Sequence, residues 1–213
     1  HNSGFGYQTL YLNTTGQSNV GVGNYSLYSN TTASDNTAIG YQALYANTTG
    51  ASNTAVGNEA LVSNTTGTTH TAVGDMALQS NTTGQHNTAV GYQALQTNTA
   101  GDNNTALGLN CLRLNTTGQY NVALGRDTLE VNTTADLNVA VGYKALASNT
   151  TGYSNTTLGY RAGYSTTTGA NCIFIGVDSG YSHTTGVRNL MIGVSSGQDV
   201  TDGGDNVFIG YQA

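Results

Sequence analysis

The chain has no proline, no tryptophan and only two cysteines, and it carries five lysine or arginine residues against eleven aspartate or glutamate. With so few basic side chains and a formal net charge of −6, no stripe exists that could neutralise a row of phosphates, so nucleic acid is not an expected partner. No apolar run approaches the ~20 residues that span a bilayer, and membrane insertion is not expected either. Charged residues make up 8% of the chain, far below the roughly 25% of an ordinary domain. A shuffled chain of this composition would stay disordered, because it could not bury enough apolar surface to offset its conformational entropy. Asparagine, threonine, glycine and serine fill the gap, and their order carries the fold.

Glycine recurs every 17 residues without an insertion or deletion: Gly6, Gly23, Gly40, Gly57, Gly74, Gly91, Gly108, Gly125, Gly142, Gly159, Gly176, Gly193 and Gly210. With this glycine as position 5, the unit reads N-T-A-V-G-Y-Q-A-L-x-x-N-T-T-G-x-x, as in Asn87 to Asn103. A fixed period along the whole chain is the signature of a repeat architecture. Positions 2 to 4 alternate threonine or a β-branched residue with alanine, the period-2 pattern of a short half-buried strand. Position 4 is apolar in all thirteen repeats, from Phe5 to Ile209, and is expected to face a continuous core. Positions 6 to 11, as in Tyr41 to Ala46, contain better helix formers and suit either one helical turn or a second short strand. Asn-Thr-Thr-Gly at positions 12 to 15 is turn chemistry.

These readings imply a mainly β chain: a parallel β-solenoid of thirteen 17-residue coils, stacked at about 4.8 Å into a rod on the order of 60 Å long. Stacking turns each repeat position into a column. Thr fills position 13 in all twelve complete instances and Asn position 12 in nine of them, so both are expected to form axial ladders. The array covers residues 1–213 as one unit with two coil subtypes, about 1–156 and about 157–213. In the second, Leu at position 9 gives way to Gly163, Gly180 and Gly197 while position 3 becomes Phe174, Met191 and Phe208. Volume lost at one position reappears at the other, which places both in one apolar space. Neither end carries a capping segment, which suggests a piece of a longer chain or fibre. Each coil offers only two large aliphatics, at positions 4 and 9. Such a thin core favours association, and a parallel homotrimer lined by positions 3, 4 and 9 is the expected assembly.

Units such as Asn36 to Leu44 and Asn206 to Ala213 resemble the repeats of bacteriophage tail-fibre and tailspike proteins, and those found upstream of endosialidase-type intramolecular chaperone domains. A more distant likeness is to the head repeats of trimeric autotransporter adhesins, which share the Asn-x-x-Ile/Val-Gly core but use a shorter period. The resemblance implies an extracellular shaft on a virion or cell surface, without catalysis or a cofactor.

Residues with chemistry of their own are few. His70 and His183 replace Asn at positions 1 and 12, His86 lies in a variable turn, and no carboxylate recurs beside them, so neither a triad nor a metal site is expected. Cys111 and Cys172 lie nearly four coils apart, about 17 Å at strand spacing, beyond the roughly 7 Å a disulfide allows. Asp199, Asp202 and Asp205 share a Gly-rich turn and form a weak calcium candidate, with plain turn formation as the competing reading. Eleven Asn-x-Ser/Thr sequons occur, at Asn13, Asn24, Asn30, Asn47, Asn64, Asn81, Asn103, Asn115, Asn132, Asn149 and Asn155. They are either glycan acceptors of a secreted protein or simply the corner sequence of the coil.

Two further surface readings are a Thr ladder that binds ice and a set of tyrosines at positions 6 and 10 that holds a cell-surface glycan. The tyrosines are Tyr7, Tyr11, Tyr28, Tyr41, Tyr45, Tyr92, Tyr164 and Tyr181. The reading that accounts for most of the chain is a non-enzymatic structural shaft presenting a receptor-binding or adhesive tip. The alternatives are a glycan-coated extracellular filament and an ice- or carbohydrate-binding adhesive solenoid.

Overall fold

A computed structural model describes residues 1–213. Each repeat contributes one three-residue strand at positions 2 to 4: β1 (Ser3–Phe5), β2 (Val20–Val22), β3 (Thr37–Ile39), β4 (Thr54–Val56), β5 (Thr71–Val73), β6 (Thr88–Val90), β7 (Thr105–Leu107), β8 (Val122–Leu124), β9 (Val139–Val141), β10 (Thr156–Leu158), β11 (Ile173–Ile175), β12 (Leu190–Ile192) and β13 (Val207–Ile209). The fold is a parallel β-solenoid, mainly β and without a helix. Two compact units divide it, His1–Asn104 with β1 to β6 and Thr105–Ala213 with β7 to β13. Within each unit, neighbouring strands pair in parallel at an offset of one repeat: Thr37 lies beside Thr54, Ala38 beside Ala55 and Ile39 beside Val56. An unbroken 17-residue period keeps every side chain on its own face from coil to coil.

The strands alternate as the sequence pattern requires, but the faces are the reverse of expectation. Position 3 points inward, with Ala38, Ala55 and Ala72 fully buried, while position 4 points outward. Ile39 is 40% exposed, and Leu107 and Leu158 each 50%. A period of two fixes that neighbours face opposite ways and leaves open which way is in. The answer comes from the return segment, where Ala at position 8 and Leu at position 9 are buried, as in Ala43 and Leu44. Leu44 fills the narrow lumen, and only a small residue fits opposite it.

Positions 6 to 11 form neither a helical turn nor a strand. Residues at positions 7 and 9 sit in the left-handed region, Gln42 at φ 53 and Leu44 at φ 53, which interrupts either structure at alternate residues. Alternate backbone N–H groups pair between coils instead, the Leu44 N–H donating to Ala60 O at 3.0 Å and the Ala46 N–H to Val62 O at 3.0 Å, while the Tyr45 N–H between them closes a turn on Gln42 O at 3.2 Å. Helix propensity is outweighed because stacking satisfies these groups and six residues of helix would not. Glycine is needed at position 5, where φ lies between 126 and 144, and a Cβ on Gly6 would sit 2.5 Å from the carbonyl oxygen of Gly23.

A left-handed Leu at position 9 costs about 1–2 kcal/mol relative to glycine. Gly163, Gly180 and Gly197 adopt the same conformation, with φ near 60, and remove that cost. The space they vacate is filled from position 3: a Cβ on Gly163 would lie 2.7 Å from Phe174 Cδ2, and one on Gly180 2.6 Å from Phe174 Cδ1. Ala162, Cys172, Phe174 and Met191 form this second kind of core, with Val200 and Phe208 packed against it. Positions 3 and 9 therefore share one apolar space, and that space is the chain's own lumen, since Phe174 and Met191 are fully buried. They are not available to line an axis between copies.

Candidate functional site

Two buried asparagine columns line the corner of each coil. At position 12, Nδ2 donates back to the Asn Oδ1 of the preceding coil. In the first unit the steps are Asn30 to Asn13 at 2.8 Å, Asn47 to Asn30 at 3.0 Å, Asn64 to Asn47 at 2.9 Å, Asn81 to Asn64 at 2.8 Å and Asn98 to Asn81 at 2.9 Å. In the second unit Asn132 donates to Asn115 at 2.8 Å and Asn149 to Asn132 at 3.0 Å. At position 1, the side-chain oxygen accepts from the next coil's backbone, as Asn36 Oδ1 does from the Asn53 N–H at 2.9 Å. Both columns converge on one carbonyl: Gly50 O accepts from Asn36 Nδ2 and from Asn47 Nδ2, each at 2.9 Å. The neutral amide donates and accepts along the same column, which is why asparagine recurs where burial forbids charge.

The sequons divide on this basis. Asn30, Asn47, Asn64, Asn81, Asn115, Asn132, Asn149 and Asn155 are fully buried, Asn13 is half-buried, and Asn24 and Asn103 are exposed. A glycan on a buried Nδ2 would have to replace a ladder hydrogen bond and find room inside the coil. The Thr column at position 13 is also committed, along the stack: Thr48 Oγ1 donates to Thr65 O of the next coil at 3.0 Å, and Thr65 and Thr82 repeat the pattern. These hydroxyl hydrogens are not free to order ice.

The two buried histidines mimic the asparagines they replace. His70 Nε2 reaches Gly84 O at 2.7 Å and Nδ1 accepts from the Asn87 N–H at 3.2 Å, so the neutral ring carries its proton on Nε2. Burial holds its pKa down at about 4. His183 Nε2 faces Asn189 Nδ2 at 3.1 Å, a group with only hydrogens to offer, so its proton sits on Nδ1 and points at Thr166 Oγ1, 3.1 Å away. Burial lowers its pKa as well. Where Thr166 interrupts the Asn column, Asn149 Oδ1 is left without a donor. His86 is exposed in its turn.

Cys111 and Cys172 are buried free thiols, and burial raises the pKa of both, that of Cys111 to about 11. Thiols held in that form are poor nucleophiles. Asp199, Asp202 and Asp205 are all exposed, and Asp205 is taken by a two-pronged pairing with Arg188 at 2.6 and 2.8 Å. Hydrogen bonding from Arg188 lowers the Asp205 pKa. No group of three or more His, Cys, Asp or Glu side chains converges on a site for a metal ion.

Tyrosines at positions 6 and 10 do not all present free faces. Tyr28, Tyr45, Tyr164 and Tyr181 are half-buried, because rings in the same column stack: Tyr11 on Tyr28, Tyr28 on Tyr45 and Tyr164 on Tyr181, with centroids 5.4, 5.1 and 5.2 Å apart. A sugar that packs on an aromatic face finds most of these faces occupied. What sequence reasoning missed is the outer sheet face. Position 4 supplies an apolar column there, six residues in the first unit and seven in the second. Val20, Val139 and Ile173 at position 2 and Tyr41, Tyr92 and Tyr160 at position 6 lie exposed on either side of it. The signal was in the sequence, as an apolar column without exception, and was assigned to the wrong side of the strand. No helix is long and apolar enough to cross a membrane. Comparison with known protein families, with characterised proteins and with solved structures finds no match for this chain.

Proposed function

We propose that the protein is a non-enzymatic structural shaft, extracellular and carried on a virion or cell surface, that works as a self-associated bundle of parallel copies, three to an assembly. The observation that carries this reading is the outward apolar column at position 4. A surface residue in a chain with so much Asn, Thr and Ser has no reason to be apolar in every coil unless something covers it. The occupant that fits is another copy, since only a surface with the same rise per coil and no charge can meet every rung of the column. Covering a half-exposed Val, Leu or Ile recovers about 1 kcal/mol. Six or seven such rungs per unit reach the scale of the roughly 4–15 kcal/mol lost to association, and the flanking residues at positions 2 and 6 supply the surplus. Three copies suit a narrow column, because each then touches two others about a shared axis.

The resemblance to tail-fibre and adhesin repeats supports the same location and role. Light scattering at micromolar concentration tests the assembly. About three times the 21.9 kDa chain mass is expected, with Val56→Asp and Val73→Asp together reducing it to the single-chain value while the β spectrum stays unchanged. A wild-type mass near 22 kDa would remove the self-associated shaft from consideration.

A further inference from the structure

The first three coils hold six tyrosines in contact. Tyr11, Tyr28 and Tyr45, all at position 10, form a continuous stack with centroids 5.4 and 5.1 Å apart and planes inclined by 9° and 13°. Tyr25 meets this stack from the side, 6.0 Å from Tyr28 and 6.4 Å from Tyr45, and also contacts Tyr7 and Tyr41 edge-on. Parallel stacking puts like edges of successive rings next to each other, and Tyr11 at the end of the stack is 59% exposed. The stacked pairs of the second unit differ in one respect. Arg161 lies 4.9 Å from the Tyr160 ring and 4.8 Å from the Tyr181 ring, and Lys144 lies 5.5 Å from the Tyr143 ring. A cation over a ring makes it harder to remove an electron from that ring. No such cation is placed over the Tyr11–Tyr28–Tyr45 stack.

We propose that this stack is a site of oxidative modification, in which a one-electron oxidant such as a peroxidase with hydrogen peroxide couples successive coils through a dityrosine bond. Each of two neighbouring phenols gives up one electron and its hydroxyl proton to the oxidant. The two tyrosyl radicals then join through ring carbons ortho to oxygen. The hydrogen on each joined carbon moves to its oxygen and restores both phenols. One carbon–carbon bond forms, two hydrogens leave the protein, and the peroxide is reduced to water. The fold supplies the encounter: the rings are already neighbours, so coupling is intramolecular and favoured over collision between chains. The product staples residues one coil apart, so a coil could not peel from its neighbour without carrying the bond.

The test treats dilute protein with horseradish peroxidase and hydrogen peroxide, then cleaves after glutamate and weighs the peptide 1–59, which holds all six residues. The expected product has lost two hydrogens per link, shows dityrosine fluorescence, and retains single-chain mass under denaturing conditions. Tyr28→Phe, which keeps the ring packing, should reduce the yield by tenfold or more. Tyr11→Phe with Tyr45→Phe should do the same by removing both stacked partners, since Tyr25 meets Tyr28 at 58° rather than face to face, and Tyr120→Phe, at an exposed ring outside the cluster, should change nothing. An Arg161→Gln chain should gain coupling at Tyr164–Tyr181 that the wild type lacks. Equal yield in Tyr28→Phe, products formed only between chains, or coupling that rises on denaturation would each overturn the proposal.

Discussion

Replacing Asn47 with alanine tests the polar column at a coil of consensus sequence. Asn47 Nδ2 donates to Asn30 Oδ1 at 3.0 Å and to Gly50 O at 2.9 Å, and its Oδ1 accepts from Asn64 Nδ2 at 2.9 Å. Alanine deletes all three. Gly50 O keeps Asn36 as a donor and Asn64 Nδ2 keeps Gly67 O as an acceptor, so two of the losses cost about 1 kcal/mol each. The third is worse, because Asn30 is fully buried and its Oδ1 is left with no donor, which adds about 1–3 kcal/mol. The total is about 3–5 kcal/mol, enough to open a coil whose only contacts are its two neighbours. Protein made in a host without N-glycosylation should show a lower denaturant midpoint and faster amide exchange in the coils of Asn30, Asn47 and Asn64. Asn103→Asp, at an exposed sequon whose left-handed backbone Asp also adopts at Asp35, should leave both unchanged. If the Asn47 variant melts with the wild type in glycan-free protein, the column is not what holds the corner.

The strand faces can be checked with two adjacent residues: Ala55→Asp buries an unpaired carboxylate in the lumen and should unfold its coil and those beside it, while Val56→Asp, on the outside, should cost about 1 kcal/mol in a single chain. Equal damage from both would mean the parity is wrong. Acid should weaken the coil of His70, because its folded pKa is about 4 against an unfolded value of 6.5, so the unfolded chain binds the extra proton between those limits. Stability is full above pH 6.5, falls on acidification toward pH 4 by on the order of 3 kcal/mol, and is flat with respect to this residue below that. His70→Asn should abolish this component of the pH–stability curve, and an unchanged slope would disprove the assignment. Thr166→Asn should extend the Asn column by one rung, donating to the orphaned Asn149 Oδ1 while its own oxygen accepts from His183 Nδ1. A gain of about 1 kcal/mol in denaturant unfolding is expected, and a loss would show that the column cannot continue there.

The 17-residue register, the strand at positions 2 to 4, the ladders at positions 12 and 13, and the shared space of positions 3 and 9 were all legible in the sequence. They follow from identity repeated at a fixed spacing, which makes each column a contact whatever the path of the coil. Compensation between Gly163 and Phe174 could be read for the same reason, since volumes in one space must add to a constant. The side of the strand that faces inward was not legible. Ala38 and Ile39 alternate equally well in either sense, and hydrophobicity alone favours putting Ile39 inside, yet the chain does the opposite. Only the tertiary path decides it: the left-handed residues at positions 7 and 9 turn Leu44 into the lumen, and the room that remains opposite is the size of an alanine. The stacking of Tyr11, Tyr28 and Tyr45 likewise needed the coil's geometry, because a shared column fixes which residues are neighbours and the turn conformation fixes how their rings lie.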